Sequence, residues 1–419
     1  MLSGKPRSAA LKTSGPPLCI DATCPTNDNL QASRRRSSNI GTHAIPTDCL
    51  LRNGVTSANV PLTTIPSVPL ALRTTFGLGG PARFFVEISD ASEVALALRW
   101  AKERDVPVFI LGGGSNLVVA DQGFPGLVLH MRTRGLVWSQ EGSQVRVEVQ
   151  AGEAWDDVVA EAVLRGAAGI ECLSGIPGTA GAAPVQNIGA YGQEVAETIR
   201  SVCVLDRGTL EIRNLGPGDC GFGYRTSLFK RDPGRFVILS VTLDLVADGR
   251  PALRYAELTS AFSGNAAPSL LEVRETVLAL RRKKSMVLDE ADDNGHSAGS
   301  FFTNPVVAAE LADQLARRAV ADGVLPVSEK MPRYPLPDGR VKLAAGWLIE
   351  HAGLAKGFRM GPVGLSSSHA LALVHHGGGT TADLLRLALH VRAAVWDRFA
   401  IDLSPEPVFL GLTWPGTSA

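Results

Sequence analysis

The sequence has no stretch approaching the roughly 18 uninterrupted apolar residues that a membrane-spanning helix needs. Glycine or charge breaks each of its best apolar runs, so membrane insertion is not expected. It also lacks an excess of either charge: Lys plus Arg and Asp plus Glu both total 41. Without a basic field to condense onto a polyanion, nucleic acid is not expected as a primary partner. The six cysteines, Cys19, Cys24, Cys49, Cys172, Cys203 and Cys220, contain no paired C-x-x-C spacing that could chelate zinc. They read as ordinary reduced thiols. His375 and His376 have no third ligand at metal-binding spacing, so no metal is expected. No internal repeat is visible. What remains is 419 residues, 45% hydrophobic and 20% charged, a balance that argues for a folded chain with a sizeable core. The 44 glycines are the informative excess.

Residues 1–60 are rich in Ser, Thr, Pro and Asn, lack apolar periodicity and contain Arg34, Arg35 and Arg36 followed by Ser37 and Ser38. They read as a disordered extension, although their scarcity of acids also resembles a transit peptide without its amphipathic stripe. From Pro61 the texture changes. A strand is expected over 83–88, an amphipathic helix over 89–104, and a buried strand over 107–111 that feeds a glycine loop. Short alternating segments at 127–130, 145–150 and 201–205 surround a helix at 155–165, which makes the class α+β. A boundary follows Arg281, Arg282, Lys283 and Lys284. Beyond it, helices are expected over 307–322, 344–352 and 381–399, with a strand over 371–375.

Two glycine-bearing segments could carry chemistry. Gly112, Gly113, Gly114, Ser115 and Asn116 offer consecutive main-chain N–H groups with little side-chain obstruction, as a phosphate requires. They lack the G-x-G-x-x-G spacing of the usual dinucleotide fold, and a plain tight turn is the competing reading. Residues 173–192 pack small residues over twenty positions, a run that cannot fill a core but can wrap a flat polar ligand, with Gln186 and Asn187 supplying amides. Loops of this length are seldom idle, and this one is too apolar for disorder.

Several strings in one order resemble the bacterial UDP-N-acetylenolpyruvoylglucosamine reductase family. They are Thr75-Phe76-Gly77-Leu78-Gly79-Gly80, the 110–116 segment, Ile176-Pro177-Gly178 with Gln186-Asn187-Ile188-Gly189-Ala190-Tyr191-Gly192, Phe222-Gly223-Tyr224-Arg225, Gly299-Ser300-Phe301-Phe302-Thr303-Asn304-Pro305, and the 342–349 segment. The resemblance covers 61–414. It implies an FAD-binding domain of the vanillyl-alcohol-oxidase (PCMH) type over 61–284, in two subdomains, then an α/β substrate-binding domain over 285–400. A C-terminal segment, 401–419, would return to the FAD region.

The resemblance further implies FAD against both glycine segments, NADPH as hydride source, and a UDP-sugar enolpyruvyl ether as substrate. It implies a cytoplasmic flavoprotein of peptidoglycan synthesis, and with it of cell wall biogenesis, cell shape and division. Ser300 matches the family's proton donor, Arg225 the arginine that steadies the enolate, and Glu406 its C-terminal glutamate. Tyr224, Lys284 and Asn304 match substrate contacts, and Tyr255 a tyrosine on a covering loop; adjacent Lys283 leaves the lysine ambiguous. Thr303 departs from members with lysine there, and 366–369 from members with a glutamine beside the uridine. Taken on their own residues, Ser300 reads first as a capping or loop hydroxyl and Arg225 as a surface ion pair, and only the resemblance reverses this. An oxidase of the same FAD fold and a non-catalytic flavin carrier are the alternative functions.

Overall fold

Strand Pro81–Ile88 pairs in parallel with Phe124–Met131, which pairs in parallel with Val108–Leu111, and Ile65–Pro69 closes the other edge antiparallel. The computed structural model from which this is read describes residues 62–264, 267–289, 291–326 and 328–415. The expected disordered extension over 1–60 lies outside the described residues. Helix Ser92–Glu103 makes the crossover between parallel strands, burying Val94, Ala97, Leu98 and Ala101. Those positions follow the 3.6-residue period that defined the helix in the sequence.

A second sheet is antiparallel, in the order Ile212–Leu215, Ile199–Asp206, Phe236–Ala247, Gln144–Gln150 and Leu136–Glu141. Helix Trp155–Leu164 covers it, and the indole N–H of fully buried Trp155 donates to the Leu173 carbonyl at 3.2 Å. The central strand Phe236–Ala247 is buried along most of its length. Its continuous apolar run carries no strand-specific period, so local sequence pattern does not single it out. Helix Leu270–Lys283 is not among the expected elements either, although Ser269 and Glu272 form a capping box at its start.

The third region joins Ser297–Ser300, Ala372–His375, Val363–Leu365 and Arg359–Met360 in an antiparallel sheet packed by helices Ala309–Ala321, Ala345–His351 and Thr381–Phe399. Phe301, Phe302, Leu348, Leu384 and Val391 anchor its core. The chain then returns. Val408–Leu410 pairs in parallel with Leu117–Val119, directly after the glycine loop, while the Glu406 N–H donates to the Phe301 carbonyl at 2.8 Å. Residues 404–410 thus stitch the third region to the first.

Candidate active site

The two glycine segments touch each other. A Cβ on Gly113 would sit 2.8 Å from the Gly178 Cα, and one on Gly114, at φ +66°, would sit 1.8 Å from the Arg73 carbonyl oxygen. The sequence reading attributed these glycines to close approach of a ligand; the packing shows that they permit close approach of two backbones. The Ser115 hydroxyl, donating to the Pro177 carbonyl at 3.1 Å, fastens the junction. Beneath it lies a cavity of about 270 Å³ with apolar walls, Trp155, Phe229 and Phe236 among them, and two cations, Arg207 and Lys230. Among the described residues, no acceptor takes the backbone N–H groups of residues 113–116. A run of unspent amides, apolar walls for a flat ring and cations without carboxylate partners fit a flavin dinucleotide.

Ser115, Asn116, Ile176, Pro177, Gln186 and Ile188 also line a second, larger cavity of about 530 Å³. Asn116 donates from Nδ2 to the Gln186 Oε1 at 2.8 Å, so the shared wall is cross-braced. Ser300, Arg225 and Glu406 line this larger cavity together, although they lie on three separate parts of the chain. Arg225 sits in a tight turn between Gly223 and Thr226 with φ +53°. Its Nη atoms donate to the carbonyls of Gly189 at 2.7 Å and Asn187 at 3.3 Å, and its Nε lies 3.2 Å from the Glu406 Oε1. The Nε–H is not aligned on that oxygen, so this is an ion pair rather than a directed hydrogen bond. Burial raises the Glu406 carboxyl above the ordinary glutamate range, while Arg225 and Lys230 pull it back. Ser300 ends its strand immediately after Gly299, whose φ of +67° turns the chain there.

Around these three, Tyr224 is desolvated and its phenol shifted upward, with the Lys342 ammonium 4.6 Å from its ring centroid. Tyr255 meets Tyr191 edge to face at 5.5 Å. Lys284 lines the cavity and Lys283 does not, and the Lys284 ammonium is paired with Glu257 at 2.7 Å. The Asn304 Oδ1 accepts from the Ala345 N–H at 2.9 Å. Thr303 donates from both backbone and hydroxyl to the Ser404 carbonyl, which ties it to the returning segment.

Two expected cofactor contacts do not stand at either cavity wall. Asn187 is 1% exposed; its amide nitrogen donates to Glu194 at 2.7 Å and to the Gly223 carbonyl, and its oxygen accepts from the Ala196 N–H. It is a clamp on the loop, with every polar atom spent on protein. Gly178 is consumed by its contact with Gly113. Gly189, Ala190, Tyr191 and Gly192 line the larger cavity rather than the glycine-loop one. Arg281, Lys342 and His369 also line the larger cavity and were not assigned from the sequence. Burial, reinforced by Lys284 and Lys356, pushes the His369 imidazole down to about 4, so it is neutral near pH 7. Among the described residues, no group of three or more His, Cys, Asp or Glu could hold a metal ion, and no helix is long and apolar enough to cross a membrane.

An unspent amide run over an apolar cavity, joined to a polar cavity with a paired arginine and glutamate, fits a flavin-dependent oxidoreductase. The family model of the FAD binding domain matches residues 82–213, and that of the UDP-N-acetylenolpyruvoylglucosamine reductase C-terminal domain matches 289–410. The reductase of that name from Thermobifida fusca is 49% identical over 356 residues, covering 83% of this chain and 98% of the relative. That of Streptomyces coelicolor is 46% identical over 357 residues, covering 84% and 91%. The crystal structure of the Thermus caldophilus enzyme superposes with a TM-score of 0.56 at 24% identity, covering 83% of this chain and 98% of that one, and shows the same fold. The chain belongs to the UDP-N-acetylenolpyruvoylglucosamine reductase family, whose members are FAD-dependent oxidoreductases.

Proposed function

We propose that this chain reduces UDP-N-acetylglucosamine enolpyruvate to UDP-N-acetylmuramate with NADPH, a cytoplasmic step in making peptidoglycan precursors. The observation that carries the reading is the convergence of Arg225, Glu406 and Ser300 on one cavity adjoining the apolar one. In this reading residues 112–116 and the 176–186 wall hold FAD, which when bound supplies a hydride from its ring nitrogen N5. The residues of the chain do the rest.

Hydride addition to the distal carbon of the enol ether leaves negative charge on the neighbouring carbon and its carboxylate. Arg225 meets that charge with a guanidinium whose plane is held by two carbonyls and Glu406, so little reorganisation is needed as the enolate forms. Glu406, whose carboxyl burial raises above the ordinary glutamate range, would in its protonated form donate a hydrogen bond to the same oxygen. Ser300 then delivers a proton to the carbon. A hydroxyl is a poor acid in water, so position and a nearby cation must replace acidity. Lys284, Asn304, Tyr224 and Tyr255 line the same cavity and suit the diphosphate and its cover.

The oxidase reading fares worse, because a cavity that sets a guanidinium beside a carboxyl whose proton affinity burial raises suits a developing negative charge. Anaerobic titration tests the choice. NADPH should bleach the flavin absorbance and the enolpyruvyl nucleotide should restore it; flavin that NADPH reduces but only oxygen reoxidises would overturn the proposal.

A further inference from the structure

The smaller cavity carries a cation with no counter-charge. Lys230 belongs to the short helix Leu228–Arg231, and its half-buried side chain lines the cavity among Phe229, Phe236 and Ile238. Among the described residues no carboxylate forms an ion pair with its ammonium, and the acid whose field reaches it, Glu406, is already paired with Arg225. An ammonium in apolar surroundings loses hydration that its neighbours do not return, and an arriving anion restores the balance. Arg207, the other cation on this wall, donates to the Val108 carbonyl at 3.4 Å and feels burial alone, with no charged group acting on it. Lys230, by contrast, sits on a helix that starts three residues after Arg225 and is fastened by the Ser227 hydroxyl, donating to the Val185 carbonyl at 2.5 Å, beside Gln186 of the wall that the two cavities share.

We infer that Lys230 is the counter-charge for an anionic oxygen of the flavin cofactor at the end of this cavity nearest Arg225 and Glu406. The inference rests on FAD occupying the cavity and is independent of which substrate follows. Two parts of FAD offer such an oxygen. The diphosphate is anionic in every redox state. The pyrimidine end of the ring system becomes anionic on reduction, because taking up a hydride, two electrons with one proton, from a nicotinamide donor adds one negative charge. A cation beside the ring stabilises the reduced form selectively, whereas a cation beside the diphosphate stabilises both forms alike.

The test uses full-length holoenzyme carrying Lys230→Met or Lys230→Arg. Two quantities are read: the flavin midpoint potential, by equilibration with a redox dye, and FAD release on dilution, by flavin fluorescence. Lys230→Met is expected to change one of them at least tenfold. A tenfold fall in the two-electron reduction constant, about 30 mV, with oxidised FAD retained, identifies the ring. A tenfold weaker hold on oxidised FAD, with the potential unchanged, identifies the diphosphate. Lys230→Arg, which keeps the charge, stays within threefold of the parent in both. Should the methionine variant not fold, Lys230→Gln carries the same expectations. Both quantities within threefold of the parent in the neutral variant, or equal losses in the arginine variant, overturn the inference.

Discussion

Arg225 meets Glu406 through Nε, 3.2 Å from the Oε1, while both of its Nη atoms are spent on the carbonyls of Gly189 and Asn187. The arginine is therefore fixed from three sides before any substrate arrives. Holding a non-glycine residue at φ +53° costs about 1 kcal/mol or more, and the turn bears that cost at the residue that carries the guanidinium. Arg225→Lys keeps the charge but loses the fork. It should lower kcat/KM for the enolpyruvyl nucleotide by about 1 to 3 kcal/mol while NADPH still reduces the flavin. Steady-state kinetics with each substrate varied in turn checks this; an unchanged kcat/KM would remove Arg225 from the proposed role.

Ser300→Ala should separate the two half-reactions. Reduction of the flavin by NADPH should proceed at nearly the parent rate, and reoxidation by the enolpyruvyl nucleotide should slow by at least about 100-fold, as for a lost general acid. Stopped-flow absorbance resolves each half-reaction. Equal slowing of both would mean that the serine supports structure rather than proton delivery.

Because burial raises the Glu406 carboxyl, its neutral form survives to a pH at which an exposed glutamate is already ionised. Linkage has a definite sign here: protonation favours the fold below the ordinary glutamate value, and that contribution is lost as pH rises through the higher folded value. The rate of flavin reoxidation should fall over the same rise as the donor ionises. Glu406→Gln, which keeps a donor that cannot ionise, should lack that alkaline limb. A glutamine variant whose pH profile superimposes on the parent's would assign the limb to another group.

The Lys284 ammonium is occupied by Glu257 at 2.7 Å, so in the proposed function an incoming diphosphate would have to compete with a carboxylate for it. Glu257→Gln should lower the KM for the enolpyruvyl nucleotide a few-fold at low ionic strength, with the gain shrinking as salt screens the exchange. Lys284→Gln should raise it. Opposite signs from the two variants are the readout.

Asn187→Ala removes three hydrogen bonds from a buried residue at φ +45° and should destabilise the fold by about 2 to 4 kcal/mol, measured by chemical denaturation. Holoenzyme that does fold should keep its flavin potential, since the amide does not reach either cavity wall.

How far the sequence could be read follows from what kind of signal each part carries. Helix Thr381–Phe399 was legible to the residue because a long apolar period and the Thr380 cap agree. The glycine strings were legible as unusual, but their cause was not: a sequence does not show that Gly113 and Gly178 oppose each other across 65 positions. The loop-clamp hydrogen bonds of Asn187 were hidden for a related reason, since an amide suits a ligand and a loop clamp equally well until its neighbours are known. Lys230, Arg281 and Lys342 went unassigned because a cation's meaning lies in which carboxylate it fails to meet, and that is a property of the fold alone. The antiparallel pairing after residue 297 likewise depends on contacts that no local period encodes.

The returning segment has a consequence for biosynthesis. Every glycine of both loops, Arg225 and Ser300 are translated well before residues 404–410, yet the carboxylate that faces Arg225 arrives with that last stitch, alongside the strand that borders Leu117–Val119. A chain whose residues 404–410 have not yet emerged from the ribosome would carry a guanidinium without its acid. Assembly of the centre therefore waits for residues 404–410, and a chain stopped before residue 404 would lack the acid that faces Arg225.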